Sequence, residues 1–119
     1  MPQISVDYSE GLIFDRRGFA RALHALTAKV IGGPIADCKT RFRRTDETFI
    51  SDGAEMHAMV FVEFWILSGR TTAIKAQLSE STLALLQESV TSPQGSQLHL
   101  AVSVCDLDSD VYRRVRVST

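Results

Sequence analysis

Polar and apolar residues alternate from Gln3 to Tyr8, with Ile4, Val6 and Tyr8 on one side and Gln3, Ser5 and Asp7 on the other, which predicts a strand. Pro2 falls on the side of Ile4, and Glu10-Gly11 ends the strand. From Asp15 to Val30 the period lengthens. Phe19, Leu23, Leu26 and Val30 recur at steps of four, three and four, while Arg16, Arg17, His24 and Lys29 supply polar surface. That spacing predicts an amphipathic helix with Asp15 as N-cap and Gly32-Gly33-Pro34 as its stop. Cys38 to Phe49 reads as a long polar strand or ribbon bearing Lys39, Arg41 and Arg43 at alternate positions, followed by the turn signal Asp52-Gly53.

Met56 to Leu67 differs in character, being apolar on both faces: Val60, Val62, Phe64 and Ile66 against Met59, Phe61, Trp65 and Leu67. Such a strand belongs in the centre of a sheet, covered by helices on one side and by another subunit on the other. Ser68-Gly69 interrupts it. Thr71 or Thr72 caps a second helix to about Val90, whose stripe is Ile74, Leu78, Leu85 and Leu86 with Thr82 between them. Ser92-Pro93-Gln94-Gly95 breaks that helix. Gln97 to Leu107 then alternates again, Leu98, Leu100, Val102 and Val104 against His99, Ala101, Ser103 and Cys105. In the tail, residues 108–119, Val111, Val115 and Val117 are interspersed with Arg113, Arg114 and Arg116, a pattern suited to an additional edge strand packed on a neighbour.

Residues 2–49 and 57–107 share the order strand, helix, strand. The expected fold is therefore α+β, one domain over 1–119, in which duplicated β-α-β units build a four-stranded mixed sheet. Right-handed crossovers place both helices on one face. The other face is then open, and an open apolar face is unstable in water at this size, so oligomerisation through it is expected.

Composition narrows the function classes. The chain has 119 residues, 45% of them hydrophobic, and a net charge of −1, which argues against a dedicated nucleic-acid binder. Aromatic residues do not interleave with the basic ones as a base-stacking platform requires. Cys38 and Cys105 are too few for a disulfide scaffold or a four-ligand zinc site, although a single bridge between them stays open. His24, His57 and His99 lack metal-ligand spacing. No basic segment precedes an apolar one, and the most apolar run carries Glu63, so a cytoplasmic protein without membrane contact is expected. Gly32-Gly33-Pro34 lacks the pattern of a phosphate loop, and no nucleophile elbow is present.

The candidate chemistry begins at Pro2. With Met1 removed, the chain starts with a secondary amine at the end of a strand. An α-amino group titrates at about 7.7–8.0, and apolar surroundings or neighbouring cations lower that value enough to leave a free base at neutral pH. Arg70 lies just before the second helix, where a cation opposes the helix dipole and a bound anion would resolve the conflict. Lys39, Arg41, Arg43 and Arg44 have a plain alternative as charges that keep an edge strand soluble. Glu63, within the apolar strand, is expected to be a paired structural carboxylate, contact with a neighbouring subunit's arginine being one version. Phe64 and Trp65 suit either an apolar site wall or simple packing.

From Pro2 to about Leu107 the chain resembles the tautomerase superfamily, most closely the 5-carboxymethyl-2-hydroxymuconate isomerases. The resemblance rests on the Met-Pro start, the segment Cys38-Lys39-Thr40-Arg41-Phe42-Arg43, the Asp52-Gly53 turn, the apolar strand ending at Ser68-Gly69-Arg70 and the amphipathic helix after it. It implies a cofactor-independent isomerase, a homotrimer with sites between subunits, and a small polycarboxylate as substrate. The processed N-terminal proline, here Pro2, is the implied general base, and Arg70 matches an active-site arginine. The family's second arginine falls on Lys39, which keeps the charge but loses the two-pronged donor geometry. Arg41, on the same strand face about 7 Å away, is the alternative ligand. Cations of this kind hold carboxylates and stabilise a dienolate as charge develops. The competing reading is a non-catalytic oligomeric domain that binds an acidic partner or small anion through the Lys39–Arg44 ribbon and the basic tail.

Overall fold

In the computed structural model, which describes residues 1–54 and 56–119, the elements follow in the order β1 (Gln3–Tyr8), β2 (Ile13–Phe14), α1 (Arg16–Ile31), a 3-10 turn (Ile35–Asp37), β3 (Lys39–Arg44), β4 (His57–Leu67), α2 (Thr72–Ser89), β5 (Val90–Thr91) and β6 (Gln97–Leu107). Four of the strands form a mixed sheet in the order β3-β1-β4-β6. The pairs β1–β3 and β4–β6 are parallel, while β1 and β4 meet antiparallel, with Gln3 opposite Trp65 and Tyr8 opposite Val60. The α+β architecture is the one that the alternation and helical periods predict.

Alternation decides which face is covered. Ile4 and Val6 of β1 and Val60, Val62, Phe64 and Ile66 of β4 are at most 1% exposed, packed with Phe19 and Leu23 of α1 and Leu78 and Leu86 of α2. Both helices therefore lie on the same side of the sheet. Full burial of each such side chain contributes about 1.5–3 kcal/mol. Phe64 belongs to this core, so it is not part of a site wall. Asp15 caps α1 by accepting from the Gly18 N–H at 3.1 Å, and Thr71 caps α2 by accepting from the Ile74 N–H at 3.2 Å. Gly32, at φ 76°, closes α1 with its N–H on the Ala28 carbonyl.

Three expectations need correction. The strand predicted over Cys38–Phe49 is only Lys39–Arg44, because its partner β1 ends at Tyr8, opposite Arg44. Beyond that point there is no ladder to join, and Thr45 makes the last contact, its N–H on the Tyr8 carbonyl at 2.9 Å. The short antiparallel ribbon β2–β5, which ties the entry of α1 to the exit of α2, has no sequence signal at two residues a strand. Its Phe14 ring packs edge-on against Tyr8, Phe19 and Phe42.

The tail forms no strand. It turns after β6, with Val111 and Tyr112 donating to the Asp108 carbonyl, and crosses to the start of β1, leaving Val111, Val115 and Val117 exposed. The open sheet face is mixed rather than apolar. Met59, Phe61 and Trp65 share it with an Arg43–Asp7 ion pair at 2.8 Å, an Arg41–Gln3 bond and a His57–His99 pair at 3.0 Å. Cys38 is buried toward α1 and Cys105 lies on the open face; both are free, which settles the open question of a bridge. No helix among the described residues is long and apolar enough to cross a membrane.

Candidate active site at the start of strand β1

The antiparallel seam brings the start of β1 beside the end of β4, and the parallel pairing brings it beside the start of β3. Pro2 is buried at this corner, and its carbonyl accepts the Lys39 N–H at 3.2 Å. Met1 is half-buried. Burial, and next the Arg70 guanidinium, hold the terminal ammonium below its ordinary pKa of 8.0; Arg114 and Lys39 push the same way, and Asp37 opposes them. The direction follows from charge: neighbouring cations make a protonated amine less favourable.

Arg70 arrives through the Ser68-Gly69 turn, where Gly69 takes φ 116°. Its Nη1 donates to the Leu67 carbonyl at 3.1 Å and its Nη2 to the Ile31 carbonyl at 3.4 Å. The expected conflict with the dipole of α2 is thereby resolved without an anion, since the guanidinium sits at the C-terminal end of α1, where unpaired carbonyls favour a cation. Lys39 is exposed, its Nζ at 3.4 Å from the Asp37 carbonyl. Arg41 is turned to Gln3, donating to Oε1 at 2.8 Å. Of the residues singled out from sequence, the corner thus gathers Pro2, Arg70 and Lys39, with Arg41 one step along the strand face.

Asp37 and Tyr112 carry no local sequence signal, and Arg114 reads only as part of the basic tail. Asp37 and Arg114 approach each other to 3.9 Å beside the terminus, and Tyr112 Oη accepts from Gln3 Nε2 at 3.4 Å. Together with Lys39 they line a cleft of about 570 Å³. Their separation along the chain hides them from any periodicity argument. Cys38, next to Lys39, is no nucleophile: burial, and next Asp37, push its thiol pKa upward, so it stays protonated at neutral pH.

Other singled-out residues find ordinary partners. Glu63 accepts from the Trp65 indole at 3.0 Å on its own strand. His24 is half-buried rather than solvated, its Nε2 2.8 Å from Thr40 Oγ1, and burial lowers its pKa. It lies in a groove of about 480 Å³ with Arg16, Arg17 and Arg21, which has cations but neither an amine nor a carboxylate.

No family model matches the sequence, and no curated protein matches it. Solved structures do. A 5-carboxymethyl-2-hydroxymuconate isomerase from Deinococcus radiodurans R1 superposes with a TM-score of 0.81 at 18% identity, covering 98% of this chain and 90% of that one. A macrophage migration inhibitory factor-like protein from Entamoeba histolytica gives 0.68 at 17% identity, with 96% and 95% covered. A fused 4-OT symmetric trimer gives 0.69 at 20% identity, with 89% and 85% covered. The sheet order, the two helices on one face and these superpositions together establish that the chain has the tautomerase-superfamily fold.

Proposed function

We propose that the protein is a cofactor-independent isomerase that acts on a 2-hydroxymuconate-type polycarboxylate such as 5-carboxymethyl-2-hydroxymuconate, through the amine of Pro2 after removal of Met1. The observation that supports this reading is the half-buried terminus, where burial and next the Arg70 guanidinium lower the pKa of the Met1 amine beside Pro2. Removal of Met1 moves the amine one residue inward, to the buried ring nitrogen, among the same cations. While Met1 remains, that nitrogen is a tertiary amide and has no usable basicity.

Pro2 takes the proton from the 2-hydroxyl of the dienol acid. The dienolate charge is held by Arg70 and by Lys39 or Arg41, and the ammonium returns the proton to a distant carbon, giving the conjugated 2-oxo acid with no net change in atoms or electrons. Arg70 retains further N–H donors besides the two spent on carbonyls. A homotrimer, with the open sheet face turned to its neighbours, is part of the proposal; the fused 4-OT structure is described as a symmetric trimer.

The anion-binding alternative is weaker on one count. Arg43 of the ribbon is already paired with the Asp7 carboxylate. The deciding experiment pairs intact-mass analysis with an ultraviolet assay on 5-carboxymethyl-2-hydroxymuconate and shorter hydroxymuconates. The expected result is a mass lacking Met1 and ketonisation well above the solvent rate. No acceleration with any of these dienols by fully processed protein would sink the isomerase reading.

A further inference from the structure

In the second half of the duplicated fold two imidazoles meet. His57 opens β4, and His99, 42 residues on, lies in β6. The strands run parallel with His57 opposite Gln97 and Met59 opposite His99, so the histidines are diagonal neighbours on the open face of the sheet. His57 Nδ1 lies 3.0 Å from His99 Nε2, and the ring centroids are 5.2 Å apart. That spacing is also the bite of a chelate. An imidazole nitrogen sits about 2.0–2.1 Å from a bound transition metal, so two of them subtending about 90–110° at the ion are about 2.8–3.4 Å apart. A change of tautomer and a ring rotation turn both lone pairs to one ion, with no net loss of a proton.

The surroundings suit a cation. His57 lines a cavity of about 210 Å³ and His99 one of about 390 Å³, and neither is lined by lysine or arginine. Both leave room for water on the remaining coordination positions. Met59, opposite His99 and lining the same cavity, adds a thioether side chain, a soft ligand of the kind copper accepts. No set of three His, Cys, Asp or Glu side chains converges among the described residues, so the pair is an open two-imidazole site rather than a closed structural cage.

We propose that His57 and His99 together bind a divalent transition metal ion as a two-point clamp that ties β4 to β6. The class is Cu²⁺, Ni²⁺ or Zn²⁺, which favour imidazole, with Cu²⁺ held most tightly; Mg²⁺ and Ca²⁺ require oxygen ligands that this pair does not offer. The clamp is independent of the isomerase reading. Because the two nitrogens are brought together only by the β4–β6 ladder, the ion binds the folded chain in preference to the unfolded one, and occupancy adds to stability.

Calorimetric titration of the untagged full chain with NiCl₂ at neutral pH tests the clamp, with MgCl₂ as the control. One Ni²⁺ per chain is expected, and no heat from Mg²⁺. His57→Ala, His99→Ala and the double variant are each expected to weaken Ni²⁺ binding on the order of a hundredfold, the double no more than either single, since loss of one imidazole already ends chelation. His24→Ala is expected to bind as the unaltered protein does, because its imidazole pairs with Thr40 and not with a second histidine. A readout without substitution stands beside these: Cu²⁺ added below one equivalent broadens the imidazole NMR signals of His57 and His99 together and leaves those of His24 sharp. Saturating Zn²⁺ raises the urea midpoint of the unaltered protein and of neither single variant. Losses that add between the two single variants mean two independent surface imidazoles and overturn the clamp. Broadening of one histidine alone, or of all three alike, overturns it as well, as does failure of all three ions to bind.

Discussion

The duplicated fold builds two equivalent corners, and they differ in nearly everything but backbone. At the first, Pro2 precedes β1, the Lys39 N–H rests on the Pro2 carbonyl, and the turn after β4 delivers Arg70. At the second, Met56 precedes β4, the Gln97 N–H rests on the Met56 carbonyl, and the residue before the cap of α1, as Arg70 is before the cap of α2, is Phe14. Where the first corner has Lys39 and Arg41, the second has Gln97 and His99, and its cavity is lined by Phe49, Met59 and Phe61. The β-α-β scaffold therefore supplies a place rather than a reaction. Chemistry requires an amine and converging cations, and one corner has them.

The sharpest way to break this contrast is to block the amine. Acetylating Pro2, or retaining Met1 in front of it, is expected to lower kcat by about 10²–10⁴, the usual worth of a general base. His57→Ala at the second corner leaves turnover within about twofold. Steady-state kinetics on protein of verified mass reads both. Equal losses from the two changes would erase the distinction between the corners.

Next in size is Arg70. Arg70→Ala is expected to cost about 10²–10³ in kcat/KM if the guanidinium stabilises the dienolate, whereas Phe14→Ala at the matching position before the α1 cap changes only stability. Because Arg70 also holds two backbone carbonyls, the pH profile separates the roles. In the proposed mechanism the free base is the active form, so kcat/KM is expected to rise with pH through the amine pKa and then level off. The pKa of the Met1 amine at this corner is lowered, first by burial and next by Arg70, and in the proposed mechanism the Pro2 amine lies in the field of the same cation. Removing that cation raises the amine pKa, and the rising limb in Arg70→Ala moves to higher pH. A variant that is slower at every pH but has an unshifted limb assigns Arg70 to the scaffold alone.

The smallest effect tests whether the two halves also differ in their helices. Thr27 in α1 and Thr82 in α2 are both fully buried, but the Thr27 hydroxyl donates to the Leu23 carbonyl at 2.7 Å while Thr82 Oγ1 has no partner among the described residues. Thr27→Val is expected to destabilise by about 1 kcal/mol, and Thr82→Val to be neutral or stabilising by a similar amount, since it removes an unsatisfied buried oxygen. Urea midpoints with unchanged m-values would report both.

Much of this was legible in the chain because it is local. Alternation in Gln3–Tyr8 and Gln97–Leu107, the two-sided apolar run of β4 and the caps Asp15 and Thr71 are short-range signals, and each has its structural counterpart. Where a strand stops is not local. β3 ends at Arg44 only because β1 ends opposite it, and β2 and β5 exist only because two loops meet. Sequence and resemblance together nominated Pro2, Arg70, Lys39 and Arg41. Tertiary structure decided that Arg70 leans on the end of α1, that Arg41 turns to Gln3, and that Asp37 and Arg114 approach the terminus. The reason is physical. Hydrophobic period fixes which face of an element is buried, whereas the electrostatics of a corner depend on which distant ends the sheet brings within a few ångströms.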